Sequence, residues 1–334
     1  MNILLTGGTG YIGSHTSIAL TLAGHNVIIY DNLCNSSLVT LDSLKVILGK
    51  DISFVNGDIL NNTLLKSTLQ NYSIDSIVHF AGLKSVGDSL LDPMSYYENN
   101  LIGSLSLFKA MKEVGIKNLV FSSSANVYGD PKYLPIDESH PVAPSNPYGR
   151  TKLQVENILE DLCKADKYLK IVNLRYFNPV GAHESGMIGE NPKGIANNLM
   201  PIIIRVALNQ LSKLDVFGGD YDTLDGTGVR DFIHIMDLAE GHVAAIKYIS
   251  KMQGFETFNL GNGIGYTVLQ LINSFEKVTG VKIPFKIVEK RSGDISSSYA
   301  SPTKANNLLN WKAYRTIDDM CRSAWNFSNK IKNP

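Results

Sequence analysis

The sequence predicts an α/β fold, a doubly wound parallel sheet with a smaller, interleaved α/β domain. Three observations predict it. The apolar stretch Asn2 to Thr6 runs into glycines at 7, 8, 10 and 13, and a helix-compatible run begins at Ser14. Strands and helices then alternate at the period of a parallel sheet covered by helices on both faces. Beyond Phe177 the alternation becomes irregular and rich in glycine, proline and asparagine, as expected of a second half that holds a substrate.

The glycine stretch comes first. A short buried strand, a tight turn and a helix whose N-terminus points back at the turn form an anion site, because exposed N–H groups and the positive end of the helix dipole suit a pyrophosphate. Gly7 and Gly8 allow the turn, Gly10 lets the backbone approach phosphate, and Gly13 permits close helix–strand packing. A glycine cluster alone is a weak signal; its place between strand and helix makes it a dinucleotide site. The helix Ser14 to Ala23 ends at Gly24, and Val27 to Tyr30 is the second strand. Asp31 closes that strand roughly 20 residues beyond the glycines, where an acidic residue binds the adenosine ribose hydroxyls of a dinucleotide. Its charge would repel a 2′-phosphate, which favours NAD over NADP. The plainer alternative is a strand-end aspartate capping Asn32-Leu33-Cys34.

Ile52 to Val55 is the third strand, ending near Asp58-Ile59, and Ile74 to Phe80 the fourth, ending in Ala81-Gly82. Ligands gather at the carboxyl ends of such strands. A long amphipathic segment from about Pro93 to Val114 contains Asn99 and Asn100. Leu119 to Phe121 is strand five and delivers Ser122-Ser123-Ser124. After a proline-rich loop, Ser145-Asn146-Pro147 supplies an N-cap followed by proline, a good helix start. That helix carries Tyr148 and Lys152 and continues to about Lys164. Ile171 to Arg175 is strand six; Asp231 to His234 and Thr257 to Leu260 are expected to return to the main sheet. The division that follows is residues 1–177, with returns near 231–262, for the dinucleotide, and 178–230 with 263–334 for the substrate.

Tyr148 and Lys152, four apart on a helix, share one face. A free phenol, with a pKa of ~10, is a poor base at neutral pH. An ammonium ~4 Å away at an effective dielectric of ~20 is worth ~4 kcal/mol, or ~3 pKa units, and brings tyrosinate near the operating pH. Such a phenolate takes the proton of an alcohol while hydride leaves its carbon. Ser124 is placed to hydrogen-bond the same oxygen.

Composition narrows the class. The chain has 334 residues, 44% hydrophobic and 19% charged, enough for a sizeable core. Lys plus Arg and Asp plus Glu both number 31, so no global field attracts nucleic acid or an anionic membrane. Three scattered cysteines and seven histidines without ligand spacing suggest neither a disulfide framework nor a metal site. A core strand at residue 2 leaves no room for a signal peptide and no apolar run reaches a membrane span, so a cytoplasmic protein is expected.

The motifs TGGTGYIG at 6–13, DNLCNSS at 31–37, HFAGLKSVGDS at 79–89, FSSSANVYG at 121–129, RYFNPVGAH at 175–183, NNLMP at 197–201 and DGTGVRDFIH at 225–234 resemble the extended short-chain dehydrogenase/reductase superfamily, in particular its UDP-glucose 4-epimerases (UDP-galactose 4-epimerases). The likeness spans nearly the whole chain and implies a Rossmann fold. It also implies that Tyr11, Ile12, Asp31, Asn32, Leu33, Cys34, Asn35, Ser36, Asp58, Ile59, Phe80, Ala81, Gly82, Leu83, Lys84, Asn99 and Phe177 line an NAD site together with Tyr148 and Lys152. Asn178, Asn198, Leu199, Val216, Phe217, Arg230, Arg291 and Asp294 would hold the UDP-sugar, the two arginines facing the diphosphate. From sequence alone either arginine reads equally as a surface residue, although Gly226, Gly228 and Gly293 nearby favour a ligand loop.

The resemblance implies a homodimer paired near 95–114 and 148–164. It also implies a reaction through a transient 4-keto sugar on tightly bound NAD, interconverting UDP-glucose and UDP-galactose. A small Ser298 where a bulky tyrosine excludes N-acetylated sugars extends the expectation to UDP-GlcNAc and UDP-GalNAc. Asn126, where threonine is usual, and Ser292, where glutamate is usual, depart from the pattern. A nucleotide-sugar 4,6-dehydratase on the same scaffold would need an Asp-Glu pair after strand five, where this chain has Ser124-Ala125. A non-catalytic NAD sensor would not need Ser124, Tyr148 and Lys152 together.

Overall fold

A computed structural model describes residues 1–192, 198–291 and 293–332. Seven parallel strands form the main sheet in the order β3-β2-β1-β4-β5-β6-β10. These are β1 (Asn2–Thr6), β2 (Asn26–Asp31), β3 (Ser53–Asn56), β4 (Ser76–His79), β5 (Asn118–Ser124), β6 (Lys170–Tyr176) and, after three strands outside this sheet, β10 (Gly254–Leu260). The chain builds outward from β1 in one direction to β3 and then restarts beside β1 with β4. The crevice between the carboxyl ends of β1 and β4 is therefore the switch point where such sheets bind ligands.

Period-two alternation explains the apolar strands. Ile3, Leu5, Ile29, Val78, Val120 and Val172 face one side, where they meet Ile18 and Leu20 of α1 (Tyr11–Leu22), Leu44 of α2 (Val39–Leu48) and Ile246 of α9 (Ile235–Ile249). Leu4, Ile28, Ile77, Leu119 and Ile171 face the other, against α3 (Asn62–Asn71), α6 (Gly103–Val114) and α7 (Pro147–Ala165). With both faces covered, each of these side chains is removed from water, worth about 1.5–3 kcal/mol for a fully buried Leu or Ile. The segment expected as one amphipathic helix is α5 (Pro93–Tyr96), a π-helical turn Tyr97–Ile102 and α6, preceded by the short α4 (Val86–Leu91).

One expected return to the main sheet does not occur. Asp231 to His234 lies in β9 (Val229–His234), which pairs with β7 (Asn178–Val180), β11 (Gly265–Thr267) and β13 (Ser297–Ser298) in a separate sheet. The edge of the main sheet beyond β6 is taken by β10 alone, which carries the other expected return, Thr257 to Leu260. Asp231 is buried within β9 and accepts from the backbone N–H of Asn262, Gly263 and Ala300. A further apolar cluster joins α8 (Leu199–Ala207), α10 (Val268–Thr279) and α11 (Ile317–Lys332) to β8 (Leu214–Phe217), which pairs with β12 (Phe285–Val288). Among the described residues no helix is long and apolar enough to cross a membrane.

Candidate active site

The glycine turn is built as its spacing demands. Gly7 adopts φ +71°, and a Cβ there would stand 2.8 Å from the Ala81 nitrogen. A Cβ on Gly13 would stand 2.3 Å from the Gly7 carbonyl oxygen, so α1 seats directly on the turn. The helix begins three residues earlier than expected, at Tyr11, and Gly10 caps it with no side chain, leaving the first N–H groups to an anion. Ile12 and Tyr11 flank that end, and the Tyr11 hydroxyl donates to the Gly181 carbonyl at 2.7 Å.

Asp31 is nearly buried at the end of β2. Its Oδ1 accepts from the Leu33 N–H at 2.8 Å and the Ser36 hydroxyl at 3.0 Å, and its Oδ2 from the Thr9 N–H at 3.1 Å. The capping role and the place at the crevice therefore coexist. Asp58 is joined to the same group, its Oδ2 accepting from Asn32 Nδ2 at 2.8 Å. Cys34 and Asn35 are exposed beside them. Phe80, Ala81, Gly82, Leu83 and Lys84 leave β4 on the opposite wall. Ile59 follows Asp58 directly, with its side chain buried in the core against Gly103.

Three residues that sequence reasoning missed organise these walls. Thr9 ties the turn to Asp31 and, through its hydroxyl, to Ser36 at 2.7 Å. Asn100, in the π-helical turn, accepts from the Leu83 N–H at 2.7 Å and donates to the Leu83 carbonyl at 3.0 Å and to Thr151 Oγ1 at 3.2 Å. Its neighbour Asn99, the expected site residue, is half-buried in the same turn. Glu156, one helical turn past Lys152, is the third; its spacing from Tyr148 and Lys152 on one face was the available signal.

Ser124 ends β5, and Tyr148 and Lys152 enter from the first turns of α7, whose N-cap Asn146 accepts from the Gly149 N–H at 2.8 Å. All three are buried. Burial pushes the Tyr148 phenol up to about 12, against the pull of a Ser124 hydrogen bond, and pushes Lys152 down to about 8, against the Glu156 carboxylate. This corrects the expectation of a phenol lowered by the ammonium. Lys152 Nζ sits 6.0 Å from the Tyr148 ring centroid and donates to the Ser122 carbonyl at 2.7 Å, so desolvation outweighs its attraction. Glu156 accepts from Arg175 Nε at 3.1 Å and Nη2 at 2.7 Å, and from the Ser123 hydroxyl.

The expected substrate residues fall into two groups. Asn178 opens β7, while Arg230 and Ser298 are paired across β9 and β13. Arg291 lies over the Phe217 ring at 4.7 Å and pairs with Asp294 at 2.8 Å, with Val216 buried beside Phe217. Burial holds the Arg230 guanidinium below its ordinary range, with Asp294 drawing it up and Arg291 pressing it down, so these three charges share one region. Asn198 caps α8, followed by Leu199, and donates to Glu190 at 2.5 Å; the same carboxylate takes Lys84 at 3.2 Å. Phe177 is buried against Val127 and Tyr128. Ser292, and Asn197 of the NNLMP motif, lie outside the described residues.

The NAD dependent epimerase/dehydratase family model matches residues 3–261. The UDP-glucose 4-epimerase of Bacillus subtilis (strain 168) is 48% identical over 333 residues, covering 100% of this chain and 98% of that protein. The crystal structure of the Stenotrophomonas maltophila UDP-glucose-4-epimerase with bound NAD and formylated UDP-arabinopyranose superposes with a TM-score of 0.98 at 46% identity, covering 100% of this chain and 99% of that one. That of the Bifidobacterium longum UDP-glucose 4-epimerase, in complex with NAD+ and UDP, gives 0.96 at 49% identity, with the same coverage. With its glycine turn, switch-point crevice and Ser–Tyr–Lys group all on one scaffold, the chain belongs to the NAD dependent epimerase/dehydratase family and, within it, to the UDP-glucose 4-epimerases.

Proposed function

We infer that this protein is an isomerase that interconverts UDP-glucose and UDP-galactose by inverting C4, using tightly bound NAD. The observation that carries this is the convergence of Ser124, Tyr148 and Lys152 on the carboxyl end of β5, beside the glycine-turn crevice. The crevice fits NAD. Gly10 leaves the end of α1 uncapped for a pyrophosphate, and the Gly7 and Gly13 positions are too tight for any Cβ. Asp31 at the end of β2 matches ribose hydroxyls and repels a 2′-phosphate. Bound there, NAD would supply the acceptor for the C4 hydride and its return.

The chain's own residues do the rest. Tyr148 takes the proton of the sugar 4-hydroxyl and later gives it back. Its phenol, raised to about 12 here by burial, needs added positive charge to ionise, and Lys152, held on the Ser122 carbonyl, lies one turn away. Ser124 donates to the reacting oxygen. Arg230 and Arg291 suit a diphosphate, since a guanidinium offers a planar fork of donors. A firm hold on the diphosphate leaves the sugar free to turn and present its other face. Residues 1–177, with returns near 231–262 that include α9 and β10, serve the cofactor, and 178–230 with 263–334 serve the UDP-sugar.

Ser298 is buried opposite Arg230, and its small side chain supports a pocket that accepts an N-acetyl group, with UDP-GlcNAc and UDP-GalNAc as further substrates. A homodimer joined near 95–114 and 148–164 accounts for the exposed Met94 and Ile102, and the enzyme works in the cytoplasm. Incubating the purified protein with UDP-galactose and no added NAD tests the reading. UDP-glucose is the expected product; a 4-keto-6-deoxy sugar, or no product, overturns it.

A further inference from the structure

We propose that Asn126 is a positioning residue: its side-chain amide fixes the Ser124 hydroxyl as a donor that serves Tyr148 in the free site and the reacting sugar oxygen once substrate is bound, and clips β5 to the first turn of α7. The proposal rests on the epimerase reading. Ser124 Oγ accepts from the Asn126 backbone N–H at 3.2 Å and from Asn126 Nδ2 at 3.1 Å. A hydroxyl has two lone pairs and one proton. With both lone pairs engaged from one side, the proton of Ser124 has to be donated elsewhere, and Tyr148 is the phenol beside it. The Ser124 hydrogen bond is also the influence that draws the Tyr148 phenol down against burial.

The other end of the same amide reaches the catalytic helix. Asn126 Oδ1 accepts from Asn146 Nδ2 at 3.4 Å, and Asn146 is the N-cap of α7, accepting from the Gly149 N–H. The backbones meet there: a Cβ on Gly149 would stand 2.7 Å from the Asn126 carbonyl oxygen. One side chain thus offers a donor to the strand that carries Ser124 and an acceptor to the helix start that carries Tyr148. A threonine has a single hydroxyl on a shorter stem and cannot serve both ends in the same way, so the asparagine here is a distinct arrangement.

Two variants test this. Asn126→Asp keeps the shape but replaces the Nδ2 donor by an acceptor that competes for the Ser124 proton. Asn126→Ala removes the donor without adding charge. Both are expected to lower kcat on UDP-galactose by about tenfold to a hundredfold, the scale of one hydrogen bond to a charged oxygen, with KM and bound NAD unchanged. In a Ser124→Ala background, Asn126→Ala is expected to cost less than about twofold, since residues acting as a unit are not additive. The titration of Tyr148, read as the ultraviolet difference between each protein and its Tyr148→Phe counterpart, should move upward in Asn126→Ala and stay put when Ser124 is already alanine. That titration reads the Ser124 orientation even if the wild-type protein fails to epimerise UDP-galactose, the separate outcome that overturns the functional reading. The proposal is overturned by a wild-type kcat and Tyr148 titration in Asn126→Ala, or by an equal cost of Asn126→Ala with and without Ser124.

Discussion

Exchanging Glu156 for glutamine removes one charge from the buried face of α7 and keeps the shape of the side chain. Glu156 and Arg175 are both nearly buried, and the carboxylate takes two guanidinium N–H bonds and the Ser123 hydroxyl. Breaking such a pair costs about 3–5 kcal/mol, because the partner charge stays buried. Glutamine retains one acceptor oxygen, so about 3 kcal/mol is expected. With an unfolding entropy of about 2 cal/mol/K per residue, that lowers Tm by about 4 °C for a chain of this length. A second effect follows through Lys152, which burial pushes down to about 8 while Glu156 pulls it up. Without the carboxylate, burial pushes it lower still, so the ammonium is partly lost near neutrality. Turnover of UDP-galactose by Glu156→Gln should fall at neutral pH and recover toward wild type as the pH is lowered. Thermal unfolding followed by circular dichroism and a pH profile of kcat check the two effects. An unchanged Tm, or a pH profile that overlays the wild type, refutes the reasoning.

Two other predictions concern stability at low pH and substrate breadth. Burial holds His15 and His242 down at about 4 and His79 and His234 at about 3, so each stays neutral in the folded protein while the unfolded chain protonates below about 6.5. Stability from these groups is present above that value and lost as pH falls toward the folded values, at about 1.4 kcal/mol per pH unit for each histidine. Denaturant titrations should therefore show His79→Gln with a shallower loss between about pH 6 and 5, by about one proton, and an unchanged slope contradicts it. Ser298→Tyr should sharply reduce turnover of UDP-GlcNAc and UDP-GalNAc while sparing UDP-glucose and UDP-galactose; full activity on the acetylated pair in a coupled assay rules out this account of the pocket.

The doubly wound half was legible because a parallel sheet covered on both faces leaves continuous apolar strands in the sequence, as Ile3-Leu4-Leu5 and Val27-Ile28-Ile29 show. The second half was less so. Asp231 to His234 has the composition of a buried strand, and composition does not say which sheet a strand joins. Helical spacing placed Tyr148 and Lys152 on one face, yet it carried no information about where Lys152 Nζ points. The ammonium found the Ser122 carbonyl, and burial reversed the expected shift of the phenol. Thr9, Asn100 and Glu156 stayed hidden for a related reason: their roles are hydrogen bonds to Asp31, Leu83 and Arg175, partners 22, 17 and 19 residues away in the chain. Asn126 was visible only as a departure from a family pattern, and the geometry around Ser124 supplies its meaning.

The central claim is that Tyr148 handles the proton of the sugar 4-hydroxyl on a scaffold that keeps NAD in place. Tyr148→Phe removes one oxygen atom and leaves the glycine turn, Asp31 and Lys152 as they are. Turnover of UDP-galactose by this variant, measured beside its bound nucleotide, tests that claim most directly. Loss of at least about a hundredfold in kcat is predicted, at the lower bound for a proton-transferring side chain, with NAD retained. Near-normal turnover with NAD still bound would contradict it.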